Sequence, residues 1–316
     1  MSERVIRIGT RSSELALRQA RMLEVALEPA GVTCEIVTFK TVGDKKLNEP
    51  LSGIGAKGLF THELEVALEK GKVDCCVHSL KDLPTESPDG LEVVAQLERE
   101  DPRDVLVVNS VTQADSLAAV PAGSRVGTSS LRRRAQLLAV RPDLDVVELR
   151  GNVPTRLKKV DTGQVHAAIL AAAGLIRLDA RNRITAWLEP PGWLPAAGQG
   201  AIAIQARTDD EETLALLRPL NHEPTSIATR AERAFLAALD GGCQVPIGAL
   251  VSDDMMLHGF VSDLRGRNVV RGSRAVDVAA PERSGELLAA DLRSRGAGSL
   301  LMELRSAVSI IAPQPE

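Results

Sequence analysis

The chain contains no tyrosine and few other aromatic residues. Its 316 residues include two tryptophans and four phenylalanines, and its formal net charge is −4. Proteins that bind single-stranded nucleic acid stack bases on aromatic side chains. A basic domain face is the usual footprint of nucleic-acid binding. The composition therefore argues against generic nucleic-acid binding, and any site for an anion must be local.

Cysteine and long apolar runs are also scarce. The sequence has four cysteines, which are Cys34, Cys75, Cys76 and Cys243. It shows no apolar signal sequence after its first residues and no apolar run long enough to cross a membrane. We therefore expect a cytoplasmic protein without disulfides and without membrane contact.

Motifs for metals and dinucleotides are missing as well. The pair His62-Glu63 has Val66 where a zinc-protease motif requires a second histidine. Residues 53–58 match the pattern G-x-G-x-x-G, but the required strand does not precede them. We predict neither site, and we interpret residues 40–58 as a loop long enough to cover a cleft.

Arginine, by contrast, is abundant. Only nine of the 38 basic residues are lysine. Arginine binds carboxylates and phosphates with a planar, two-pronged fork. Genomic base composition produces the same bias, so the positions of the arginines carry more information than their number.

Short apolar runs alternate with amphipathic stretches through much of the chain. In the first hundred residues they predict strands at 5–8, 34–39 and 73–77 and helices at 14–27 and 61–69. Such alternation is typical of a mostly parallel sheet with helices on both faces.

The alternation restarts after residue 101 and changes to short strands after residue 221. We predict a second α/β domain followed by a smaller α+β domain, with a glycine hinge at Gly198-Gln199-Gly200 leading into one more strand. The predicted domains are residues 1–100 with 200–220, residues 101–199, and residues 221–316.

Two turns share a pattern of strand, Gly-Thr, hydroxyl-rich turn and helix, at residues 8–15 and 126–133. Serine and threonine at such positions are ordinary helix caps. Helix N-termini also bind anions, and ligands of open α/β sheets bind at the carboxyl ends of the strands. Several arginines follow predicted strands of the second domain, and we expect them to line one wall with Arg11 opposite. They are Arg132, Arg133, Arg150, Arg156 and Arg177. We expect Arg134 to be solvated.

Asp82 and Cys243 each allow one structural and one functional interpretation. Asp82 follows a nearly all-apolar strand, where it either stabilises a cation or only shapes the turn before Pro84. Cys243 lies in the glycine-rich stretch 241–248, which is either a covalent tether or a helix cap followed by a turn. The adjacent Cys75 and Cys76 are predicted to fill the core.

Seven ordered segments of the sequence resemble the porphobilinogen deaminase family nearly from end to end. They are IGTRSS at 8–13, GAKGLF at 55–60, VHSLKDLP at 77–84, VGTSSLRR at 126–133, LRGNV at 149–153, GQG at 198–200 and GGCQVPIG at 241–248. The resemblance implies two periplasmic-binding-protein-like (type II) α/β domains with a central cleft, plus a smaller α+β C-terminal domain.

The resemblance also implies an activity. A cytoplasmic, monomeric transferase of haem biosynthesis would condense four porphobilinogens head to tail, release ammonia and yield hydroxymethylbilane. Growth would occur on a dipyrromethane cofactor joined by a thioether to Cys243, and Asp82 would be the catalytic aspartate. Further positions match residues that bind the acetate and propionate arms. They are Arg11, Ser13, Lys57, Lys81, Thr128, Ser129, Ser130, Arg132, Arg133, Arg150, Arg156 and Arg177.

Two other functions fit parts of the pattern. A non-enzymatic binding module for a polyanion would use the same two lobes, but it gives Cys243 no purpose. A hydrolase with Cys243 as nucleophile would need a nearby base, and the segment 241–248 supplies no base motif.

Overall fold

The β-strands form where apolar residues alternate or run together, as the first strand illustrates. In the computed structural model, which describes residues 5–41, 43, 60–240 and 245–311, Ile6 and Ile8 of this strand point into a core and are almost fully buried. Lys57 and Cys243 lie outside the described residues. The fold divides into two units, which comprise the described residues of 1–101 with 199–227 and of 102–198 with 228–316.

The first unit contains a five-stranded sheet with the order β2-β1-β3-β10-β4. Its strands are β1 Val5–Arg11, β2 Thr33–Phe39, β3 Cys75–Ser79, β4 Leu91–Gln96 and β10 Ile202–Arg207. The helices are Glu14–Leu27, His62–Glu69 and Glu211–Leu217, with 3-10 turns at Glu28–Ala30, Leu80–Asp82 and Arg218–Leu220.

This sheet is mostly parallel, as the sequence predicts, with one antiparallel strand. β1 pairs in parallel with β2 and β3, but β10 runs antiparallel to both β3 and β4. β10 arrives from more than a hundred residues further along the chain, so local periodicity carries no information on its direction. The α/β class is confirmed, and so is the mostly parallel arrangement, because four of the five strands run in the same direction.

The second unit contains a sheet of the same design, with the order β7-β6-β8-β5-β9. Its strands are β5 Asp104–Val108, β6 Arg125–Gly127, β7 Asp145–Val147, β8 Ala167–Ala171 and β9 Ala186–Leu188. β6 is parallel to β7 and β8, and β5 is antiparallel to β8 and β9. The associated helices are Leu131–Val140, Val153–Asp161 and Ala172–Arg177, with a 3-10 turn at Arg181–Arg183.

A smaller antiparallel sheet completes the second unit. Its strands are β11 Ile247–Val251, β12 Met256–Ser262 and β13 Val269–Ala275, in sequential order. The helices in this part of the chain are Glu223–Ala238, Pro281–Leu292 and Gly298–Ile311, the last two joined by a kinked segment at Arg293–Ala297. Leu250 and Phe260 of this sheet join a core cluster with Ala135 and Leu194. This sheet and its helices form the smaller α+β part, whereas the boundaries of the three predicted domains stay a prediction.

Candidate active site

The candidate residues of the first unit follow two neighbouring parallel strands. β1 ends at Arg11, and β3 leads at once into the 3-10 turn Leu80–Asp82. β1 and β3 are paired in parallel, so their carboxyl ends meet at the same edge of the sheet. The fold therefore brings Arg11 and the turn with Asp82 to one edge of this sheet.

Asp82 is half-buried, and its turn is closed by the backbone. The N–H of Leu83 donates to the carbonyl of Leu80 at 3.1 Å. Within residues 5–41, 43, 60–240 and 245–311, the Asp82 carboxylate has neither a hydrogen bond nor an ion pair. A carboxylate that shapes a turn commonly accepts a hydrogen bond from the turn's own backbone.

Lys81 is held by a glutamine that the sequence analysis did not select. Its Nζ donates to Oε1 of the fully buried Gln199 at 3.2 Å, and the carbonyl of Gln199 accepts from Arg99 Nε at 2.9 Å. The sequence feature that marks this glutamine is its position between two glycines in the segment 198–200. Gly200 has φ +91°, and a Cβ there would collide with the carbonyl oxygen of Glu100.

The other two candidates of this edge lie at the start of the helix Glu14–Leu27. Ser13 is the N-cap, and its hydroxyl accepts from the N–H of Ala16 at 3.3 Å. The guanidinium of Arg11 lies 4.4 Å from the centre of the Phe60 ring, a cation–π distance. The capping interpretation of Ser13 is thus confirmed.

A buried polar group lies beneath this edge. His78 on β3 and Gln205 on β10 share one face of the sheet with Cys76, whose Sγ contacts the carbonyl of Leu64 on the helix His62–Glu69. Burial lowers the pKa of His78 to about 4; the nearby Arg11 charge adds to this shift and Gln205 opposes it. Burial raises the pKa of Glu65. His78 is therefore neutral near pH 7.

The hydroxyl-rich turn of the second unit is occupied by local bonds. The Ser130 hydroxyl caps the helix Leu131–Val140 by accepting from the Arg133 N–H at 3.4 Å, and Ser129 donates to the carbonyl of Leu149 at 2.9 Å. Thr128 Oγ1 accepts from the Ser130 N–H at 3.2 Å. This turn resembles the one at Ser13, but its cap follows the Gly-Thr pair one residue earlier.

Arg132 and Arg133 are buried, although the sequence analysis expects them on an open wall. Both form ion pairs with the fully buried Asp104, at 2.6 and 2.7 Å. Burial alone would raise the pKa of Asp104, but the two guanidiniums outweigh it and hold that pKa well below its usual range. Asp104 gives no local signal in the sequence. Arg134, expected to be solvated, is partly buried and donates to the carbonyl of Val146 at 2.9 Å.

The remaining arginines follow β7 and β8. Arg150 donates from Nε to Glu148 at 2.6 Å, while its Nη2 is buried and has no hydrogen-bond partner in the described part of the chain. Arg156 donates from Nε to the carbonyl of Gly151 at 2.7 Å, and Arg177 ends the helix that follows β8. Because β7 and β8 are both parallel to β6, the segments that follow them leave the same edge of the sheet.

Comparison with known proteins identifies the family. The family described as "Porphobilinogen deaminase, dipyromethane cofactor binding domain" matches residues 6–215, and "Porphobilinogen deaminase, C-terminal domain" matches residues 226–294. The chain belongs to the porphobilinogen deaminase family. A porphobilinogen deaminase of Moorella thermoacetica is 49% identical over 95% of this chain and 97% of its own length. That of Syntrophobacter fumaroxidans is 46% identical over 96% and 99%.

Some solved structures are similar at a more distant level. A methionine-binding protein has a TM-score of 0.44 and 16% identity, with 75% of this chain and 94% of that chain covered. A periplasmic substrate-binding protein from Coxiella burnetii has a TM-score of 0.43 and 16% identity, with 72% and 96% covered. The family assignment depends on the sequence relatives.

Membership of the porphobilinogen deaminase family makes the chain a transferase of tetrapyrrole biosynthesis that polymerises porphobilinogen. This activity replaces the two alternative functions, the polyanion-binding module and the thiol hydrolase. The matched domain of residues 6–215 is a dipyrromethane cofactor-binding domain. The unpartnered, buried Nη2 of Arg150 fits such a group, because a buried guanidinium donor requires an acceptor such as a carboxylate.

The described residues contain neither a metal-ligand cluster nor a membrane-spanning helix. In the described part of the chain, no three residues among His, Cys, Asp and Glu are grouped so that they could hold a metal ion. Among the described helices, none has the length and apolar character that a membrane crossing requires. Cys75 and Cys76 are fully buried, which confirms their assignment to the core.

Proposed function

We propose that the chain joins four porphobilinogens head to tail on a dipyrromethane attached through a thioether to Cys243, with Asp82 as the catalytic carboxylate. Family membership supports the reaction, and the unpaired carboxylate of Asp82 is the observation that carries the assignment of the residue. When bound, the dipyrromethane supplies the pyrrole end from which the chain grows.

The role of Asp82 follows from charge. As the aminomethyl group of porphobilinogen loses ammonia, positive charge develops on the pyrrole nitrogen. A carboxylate fixed in a rigid turn, with no other bond to break, stabilises that charge without reorganising. Lys81, held by Gln199, and Arg11 lie at the same edge and are suited to bind the acid arms of the substrate.

The residues of the second unit serve anion binding in this proposal. Each pyrrole adds an acetate and a propionate, which explains several arginines in a protein of net charge −4. Arg150 is the strongest candidate, because its buried Nη2 donor has no hydrogen-bond partner among the described residues. The proposed binding set also contains Ser13, Thr128, Ser129, Ser130, Arg132, Arg133, Arg156, Arg177 and Lys57.

Cys243 is proposed as the anchor. It lies between the helix Glu223–Ala238 and β11, inside the region that matches the C-terminal domain of the family. Covalent attachment makes each addition intramolecular and gives the growing end a high effective concentration. A chain that must not leave before completion requires such a tether.

Mass spectrometry tests the anchor. Purified protein is digested, and the peptide containing Cys243 is expected to carry the mass of two linked pyrroles. Cys243→Ser should abolish both the added mass and the consumption of porphobilinogen. Cys34→Ser, at a partly buried cysteine of the first unit, is the control and should retain both. Active protein with an unmodified Cys243 would refute the proposal.

A further inference from the structure

A single buried carboxylate collects donors from three side chains of the second unit. Oδ1 of Asp104 accepts from Nε and Nη2 of Arg133, at 3.1 and 2.7 Å. Oδ2 accepts from Nη1 of Arg132 at 2.6 Å and from Nε1 of Trp193 at 2.9 Å. Both oxygens of Asp104 are therefore saturated, and both arginines are tied to one point at the start of β5.

From this geometry we propose that Asp104 is a positioning residue, which holds Arg132 in the orientation that binds a carboxylate of the pyrrole chain. The inference rests on the proposed function, since it assigns the ligand of Arg132 to the substrate or cofactor. Asp104 acts through the arginine and touches no reacting atom.

The two arginines differ in how many of their nitrogens are hydrogen-bonded within the unit. Arg133 uses all three of its nitrogens inside the unit, since its Nη1 also donates to the carbonyl of Ile169 at 3.0 Å. Arg132 uses Nη1 alone, for Asp104 and for the carbonyl of Leu194 at 2.7 Å. Within the described residues, Nε and Nη2 of Arg132 have no partner, and neither is sealed from solvent. Arg132 thus keeps one side of its fork for a ligand.

Charge and rigidity support the same assignment. Two guanidiniums buried side by side repel each other, and a buried charge without a counter-charge is costly. Asp104 reduces the charge of the group from +2 to +1 and remains ionised because its pKa is held far below its usual range. It sits in β5, which is paired on both sides, by β8 and β9. The anchor is therefore as rigid as the sheet.

A double-mutant cycle tests the inference on cofactor-loaded enzyme. Arg132→Gln and Asp104→Asn are each expected to raise the KM for porphobilinogen by about tenfold to a hundredfold, the range for one charged hydrogen bond. In the double variant the KM should match that of Arg132→Gln alone, because Asp104 acts only through Arg132. Asp161→Asn, which removes the partner of Arg183 in an exposed ion pair of the same unit, is the control and should leave KM unchanged.

The outcomes separate this inference from the proposed function. If Arg132→Gln leaves KM unchanged, the proposed binding role of Arg132 fails, and the inference fails with it. If Arg132→Gln raises KM but Asp104→Asn has no effect, or adds its full effect in the double variant, only the inference is overturned. If Asp104→Asn does not fold, the cycle is run with Trp193→Phe, which removes one donor to the same carboxylate. The inference is then supported if Trp193→Phe raises KM and the double variant with Arg132→Gln has the KM of Arg132→Gln alone. It is overturned if Trp193→Phe leaves KM unchanged or if the two effects add.

Discussion

Acidification should destabilise this protein through His78. The imidazole is 5% exposed, and burial, with the nearby Arg11, lowers its pKa from 6.5 to about 4. Between these two values the unfolded chain binds a proton that the folded chain does not. Stability contributed by the neutral histidine is therefore complete above pH 6.5 and is lost progressively as the pH falls toward 4. The difference of about 2.5 pKa units corresponds to about 3 kcal/mol.

Glu65, on the helix that covers this face of the sheet, acts in the opposite direction. Its pKa is raised in the folded state, so its contribution to stability is lost as the pH rises through that raised value. Comparison of wild-type protein with His78→Gln cancels this effect, because both proteins retain Glu65. The expected difference between the two proteins therefore comes from the titration of residue 78.

The assay is urea unfolding between pH about 7 and pH about 4.5. The free energy of unfolding of the wild-type protein should fall more steeply on acidification than that of His78→Gln, by an amount approaching 3 kcal/mol at the acid end. His62→Gln, a substitution at an exposed histidine of the adjoining helix, should keep the wild-type slope. Equal slopes for the wild-type protein and His78→Gln would refute the assignment of a buried, neutral imidazole.

Two further predictions concern the second unit's anion site and the segment at residues 198–200. Arg150→Lys should raise the KM for porphobilinogen by about tenfold in steady-state assays, because an ammonium cannot replace the fork whose Nη2 is buried and unpartnered in the described part of the chain. A KM equal to that of the wild type would remove Arg150 from the proposed site. Gly200→Ala should lower the free energy of unfolding by several kcal/mol, measured with urea, since both its φ and the Glu100 carbonyl oppose a Cβ. Gly163→Ala has a similar backbone strain but open space around it, so it should cost only about 1 kcal/mol, and equal losses for the two variants would contradict the collision.

Local patterns were sufficient for most helices and strands. The helix Glu14–Leu27 begins and ends where its periodicity predicts, and Arg11 and Asp82 follow strands at the edge where they were expected. These features depend on contacts between near neighbours in sequence, or on the rule that parallel strands end at one edge.

What the sequence did not reveal depends on pairings between distant residues. β4 and β9 were missed, and the antiparallel insertion of β10 was not foreseen, because neither direction nor register is encoded locally. Asp104 is indistinguishable from an ordinary polar residue until the fold places it against Arg132, and the segment at 198–200 marks Gln199 without revealing its contact with Lys81. The motifs supplied the residues proposed to bind the ligand, and the structure added the residues that contact them.

The most direct test of the central claim is the rate at which Asp82→Asn consumes porphobilinogen when Cys243 is fully loaded. The account predicts a rate about a hundredfold to a thousandfold lower than that of the wild type, the range for loss of one fixed electrostatic group, with unchanged stability toward urea. Asp89→Asn, an exposed aspartate ten residues from β3, should keep the wild-type rate. Undiminished consumption by loaded, folded Asp82→Asn would contradict the account.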